Sequence, residues 1–77
     1  MQALYPNESP GINTLADALP REIARVRVVL GHYKELGPVG SIGAHFIEQD
    51  LRAADVAMVS GDVVAMIRVY QTLQGIQ

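Results

Sequence analysis

The feature of this sequence that most constrains its fold is a helix stop followed by a helix start, which occurs twice. The first lies at residues 34–41 and the second at residues 59–62. In both, a glycine follows an apolar run of helical period, and a residue able to cap a new helix comes shortly afterwards. The two signals divide a chain of 77 residues into three helices joined by tight turns. The sequence therefore predicts an all-α fold, a three-helix bundle or helical hairpin.

The N-terminal residues have a different character. Pro6, Pro10 and Gly11 lie among polar residues, which predicts an extended N-terminal arm over residues 1–13 and a single helical domain over residues 14–77. We expect one helical turn at residues 14–18, since Thr14 and Asp17 have the spacing of a capping box.

Boundaries of the three helices follow from their end signals. Helix one is predicted from Pro20 to Leu36, because proline at the first helical position loses no donor that the helix needs. Helix two is predicted from about Ser41 to Val59. Helix three is predicted to run to about Leu73, with Asp62 as its N-cap.

Apolar spacing identifies a candidate core on all three helices. Residues recurring at intervals of three and four are expected to face inward: Ile23, Val26, Leu30, Tyr33, Phe46, Ile47, Leu51, Ala54, Met58, Val63, Met66, Ile67, Tyr70 and Leu73. Val28 and Val29 fall outside the helix-one seam and form a second apolar stripe that needs another cover. We interpret them, with Arg68 of helix three, as interface residues.

Composition supports self-association. The chain is 49% hydrophobic and only 5% aromatic, and it contains no cysteine. A domain this small buries a modest fraction of its surface and usually gains stability from disulfides, a metal or another subunit. Without cysteine, disulfides and thiolate zinc sites are excluded, so the apolar surplus favours a homo-oligomer, most simply a dimer. No cofactor is predicted.

Charge and hydropathy exclude other classes. A formal net charge of −2 argues against a dedicated nucleic-acid binder, which needs a basic surface. The first residues lack the pattern of a signal peptide, and no apolar run approaches the roughly 18 residues of a membrane span. The expectation is a cytoplasmic protein without a membrane partner.

Ligand binding has one weak candidate. Arg21 and Arg25 share a helix face, and His32 lies in the last turn of the same helix. Together with the glycine-rich turn at residues 37–43, they would suit a nucleotide-like anion at a subunit junction. The simpler interpretation is a solvated helix face and a turn whose glycines serve packing.

The sequence shows no catalytic signature. His45 and Glu48 are three residues apart, with Asp50 nearby, but two histidines and scattered carboxylates do not make a metal site. Glu48 and Asp55 are better placed to pair with Arg52 along helix two. No serine has a base placed to activate it. We therefore predict neither an enzyme nor a metal protein.

Two segments carry a resemblance. Residues 19–27, LPREIARVR, and residues 50–70, DLRAADVAMVSGDVVAMIRVY, resemble a group of short hypothetical proteins of phages and prophages of Gram-negative bacteria. The resemblance covers about residues 10–74 and implies a small phage accessory protein, a class that often acts by binding a host protein, a regulator or a signalling molecule. The sequence thus predicts a non-enzymatic interaction module that self-associates. The alternative is a sequestering protein for a small anion.

Overall fold

The computed structural model describes residues 12–77, and side chains from residue 15 onward. It contains three α-helices, α1 (Ile12–Glu35), α2 (Ser41–Ser60) and α3 (Val63–Gln74), with a short 3₁₀ helix at Gly37–Gly40 between the first two. Each α-helix packs against both others, and no strand occurs in this part of the chain. The predicted all-α fold of three helices is confirmed.

Both stop signals act through glycine. Gly37 and Gly61 have φ angles of +66° and +70°, a left-handed conformation that glycine adopts without a Cβ penalty. The N–H of Gly61 donates to the carbonyl of Ala57 at 3.1 Å and closes α2. One residue later, Asp62 Oδ1 accepts hydrogen bonds from the amides of Val64 and Ala65. The predicted N-cap of helix three is confirmed.

The first turn differs from the expected stop and cap. Because the 3₁₀ helix runs directly into α2, the residue before α2, Gly40, has helical backbone angles and no capping side chain. Ser41, at which helix two is predicted to begin, is the first residue of α2. Its hydroxyl donates to the carbonyl of Pro38 at 3.0 Å.

The predicted start of helix one is wrong. Pro20 lies inside α1, which already begins at Ile12. The turn before Pro20 carries Leu19, which is fully buried. The proline nitrogen cannot donate to the carbonyl of Ala16, and the burial of Leu19 offsets the loss of this hydrogen bond. Most of the predicted arm, residues 1–11, lies outside the described residues, whereas Ile12 and Asn13 belong to α1.

The core contains most of the residues expected from spacing. A buried cluster comprises Leu19, Ile23, Val26, Ile47, Leu51, Ala54 and Leu73, and Leu30, Tyr33, Met66 and Tyr70 pack around it half-buried. The expectation is wrong for three side chains that remain exposed, Phe46, Met58 and Ile67. Three residues not expected in the core, Leu19, Ala44 and Ala57, are buried.

Candidate functional site

A second face of α2 is exposed and has its own apolar period. Its members follow one another at intervals of four, three, four, three and four residues: Ile42, Phe46, Gln49, Ala53, Val56 and Ser60. This spacing keeps them on one side of the helix, as in a coiled-coil seam. All six are exposed, whereas the inward face of α2 carries Ala44, Ile47, Leu51 and Ala54. We call the exposed set the outer stripe.

The outer stripe begins in a patch of large apolar side chains at the α1–α2 turn. Val39, Ile42 and Phe46 are 88%, 72% and 59% exposed. Their spacing of three and four places them side by side, with the ring of His45 edge-on to Phe46 at a centroid distance of 5.9 Å. Val39, Ile42 and Phe46, which we call the turn patch, present apolar surface and no charge.

The other end of the outer stripe forms one wall of a groove between α2 and α3. The groove has a volume of about 660 Å³. Its lining includes three alanines, Ala53, Ala57 and Ala65, and the larger apolar side chains of Val56 and Val64. Alanines at such positions let the backbone of another helix approach closely. Arg52 of α2 and Arg68 of α3 also line this surface, which we call the α2–α3 groove.

The ion pairs that form between the helices do not involve Arg52 or Arg68. Glu48 pairs with Lys34 of α1 at 3.0 Å, and Asp55 lies 3.8 Å from Arg27 of α1. The pairs expected within helix two, both involving Arg52, are therefore not the ones that form. Among the described residues, neither Arg52 nor Arg68 has a carboxylate within 4.0 Å.

The candidate anion site on α1 is partly occupied by the protein itself. Arg25 pairs with Glu22 at 2.9 Å, and its Nη2 also donates to the backbone carbonyl of Leu73 at 2.8 Å. The hydrogen bonds that Arg25 donates to the carboxylate of Glu22 raise the pKa of Arg25. Arg21 and His32 are exposed and could still donate to an anion. Because Arg25 is already engaged, the site has fewer donors than the sequence predicts.

The glycines of the α1–α2 turn serve packing. A Cβ at Gly40 would collide with the carbonyl oxygen of Tyr33, and one at Gly43 would lie 2.6 Å from the Tyr33 ring. Gly40 is buried. These close approaches account for both residues without an anion.

The predicted interface residues are dispersed. Val29 packs against the core, Val28 is exposed on α1, and Arg68 lies in the α2–α3 groove. The broader exposed apolar surface belongs to α2, where Ile42 and Phe46 were not recognised as interface candidates. The alternating four and three spacing of the outer stripe is the signal that identifies them.

Residues 12–77 show neither a metal site nor a membrane span. No group of three or more histidine, cysteine or acidic side chains is arranged there to hold a metal ion. Within the same range, none of the helices combines the length and the apolar character needed to cross a membrane.

Comparison of the chain with protein-family models, with curated proteins and with solved structures finds no match.

Proposed function

We propose that this chain is a non-enzymatic helical interaction module that self-associates and binds a protein partner. The observation that supports the proposal is the turn patch, in which Val39, Ile42 and Phe46 expose most of their apolar surface side by side. Contiguous exposed side chains of this size commonly mark an interface, whereas scattered ones do not.

The energetics favour burial of the turn patch between two copies. Covering one large apolar side chain contributes roughly 1.5–3 kcal/mol. A twofold contact covers three from each copy, for a total of roughly 9–18 kcal/mol, against an association cost of about 4–15 kcal/mol. The two ranges overlap, so the turn patch offers a free energy of the size that a dimer needs.

Charge also suits a symmetric contact. In a twofold interface each residue meets the same surface of the other copy, so any charge at its centre meets a like charge. The turn patch has no charged member, and the ring of His45 lies against Phe46. Two copies can therefore appose these surfaces without electrostatic repulsion.

The second half of the proposal concerns the foreign partner. The resemblance to short phage and prophage proteins would make that partner a host protein. Such a role needs a recognition surface and no reaction chemistry, which fits the apolar surfaces of α2.

Light scattering across a concentration series tests self-association. We expect a dimer for the unchanged chain and a monomer for Ile42→Glu or Phe46→Glu, because each would bury a carboxylate without a partner. Val28→Glu is the matched control, since Val28 is exposed to a similar extent, 60%, on α1. It should leave the dimer intact.

Two results would contradict the proposal. A monomer at all concentrations would remove self-association. If the Val28→Glu variant were monomeric and the Ile42→Glu variant still dimeric, the interface would lie on α1 and not on α2.

A further inference from the structure

We propose that the α2–α3 groove is the partner site and that its occupant is an amphipathic helix with acidic residues flanking its apolar face. The inference deepens the proposed function and rests on it. It separates two surfaces along one helix: the turn patch for a second copy, and the groove for a foreign partner.

The dimensions of the groove fit a helix. On the α2 side it extends from Gln49 to Ser60, eleven residue steps or about 16 Å, which is about three helical turns. One valine from each helix of the groove is exposed, Val56 by 63% and Val64 by 59%, so a partner can reach both helices. An amphipathic helix binds such a surface by its side chains at i, i+3, i+4 and i+7.

Charge identifies the chemistry of the occupant. Arg52 and Arg68 contribute one guanidinium from each helix of the groove, and within residues 12–77 neither forms an ion pair. The one acidic residue of the lining, Asp62, already accepts two amide hydrogen bonds at the start of α3. Carboxylates on both edges of an incoming helix would supply partners for the two arginines.

The same charges disfavour a second copy in the groove. A twofold contact of groove with groove would bring two Arg52 and two Arg68 side chains into one interface. Its lining offers only Asp62 in each copy to balance them. Like charges across an interface oppose association.

Selection from a helical peptide library tests the inference on the full chain. The library presents leucine and alanine on one face, and its flanking positions vary among Glu, Lys and Gln. We expect the selected peptides to be enriched in Glu at both flanks. Chemical-shift changes on binding should follow α2 and α3 from residue 49 to residue 69.

Matched variants assign the contact. Arg52→Glu with Arg68→Glu should weaken the best Glu peptide by about tenfold or more and change the selection toward Lys. Arg21→Glu, a charge change equal to that of either groove substitution alone, lies on an exposed part of α1 and should leave both unchanged. Ala53→Phe should block binding by filling the groove while preserving every charge.

The outcomes are distinguishable from those of the proposed function. A dimer that selects no groove-dependent peptide, or selects Lys or Gln flanks, overturns the acidic helix and leaves self-association standing. Loss of the dimer in Ala53→Phe would assign the groove to a second copy. Binding of laurate at the groove, with no peptide selected, would assign it to a small amphipathic anion and overturn the inference.

Discussion

The ring of Tyr33 occupies the space that a side chain at Gly43 would need. An ideal Cβ on Gly43 would lie 2.6 Å from Cε2 and 2.7 Å from Cδ2 of Tyr33. The contact joins the end of α1 to the first turn of α2, close to the turn patch. The distance between these two helices therefore depends on the absence of one methyl group.

Gly43→Ala is expected to destabilise the protein. The new methyl displaces the Tyr33 ring, and overpacking of this kind costs about 1–3 kcal/mol, partly offset by the better helix propensity of alanine. Gly31→Ala is the control, because a Cβ there meets nothing within 4 Å and should add about 0.5–1 kcal/mol of stability. Urea denaturation of both variants measures the difference. Equal stability of the two would show that the ring moves aside without cost.

Asp62→Ala should lower the free energy of unfolding by about 0.5–2 kcal/mol, the usual contribution of an N-cap. Its carboxylate accepts from two amides that have no partner within α3. Asp62→Asn retains an acceptor at the same position, so its stability should remain close to that of the unchanged chain. Thermal unfolding by circular dichroism compares the two. A loss of the same size for both would point to the charge of Asp62 instead of its hydrogen bonds.

Leu19→Ala should cost about 2–5 kcal/mol, because Leu19 is fully buried and its removal leaves a cavity. Leu36 offers the same substitution on an exposed side chain. Leu36→Ala should change stability by less than about 0.5 kcal/mol. Chemical denaturation checks both values. A small effect at Leu19 would mean that the segment before Pro20 contributes little to the core.

Pro20→Ala is expected to stabilise α1 by up to about 3 kcal/mol, since an alanine restores the amide that proline lacks inside a helix. The restored donor faces the carbonyl of Ala16. Amide hydrogen exchange in residues 12–19 should become slower as the stability of α1 increases. Unchanged exchange in this segment would contradict a continuous helix through Pro20.

Arg25→Gln should increase hydrogen exchange at the end of α3, because Arg25 holds the carbonyl of Leu73 at 2.8 Å. Arg21→Gln, a change on the same helix away from that contact, should leave the exchange unaltered.

The pKa of Arg25 is raised by Glu22. The contribution of this charge to stability is therefore complete below the unfolded-state pKa of Arg25, and it is lost only as pH rises through the folded-state pKa. Stability between pH 5 and 9 should therefore show no change that Arg25 causes.

Local chemistry determined the number of helices and most of their ends. Gly37 and Gly61 adopt the left-handed backbone that ends α1 and α2, and Asp62 caps the start of α3. Each of these residues lies within a few positions of the helix end that it determines. The apolar period likewise placed Ile23, Val26 and Leu51 correctly in the core. These features depend on neighbours along the chain, which is why the sequence alone predicts them.

Only the tertiary structure decided which side of α2 is covered. Two stripes with similar spacing run along this helix, and the sequence could not tell whether Ile47 or Phe46 faces α1. Packing against α1 and α3 buries one stripe and leaves the other exposed. The same packing extends α1 through Pro20 and buries Leu19. Glu48 and Asp55 pair with residues of α1, Lys34 and Arg27, and not with Arg52 of their own helix. Both results depend on contacts between residues distant in sequence, which the local pattern of the chain does not contain.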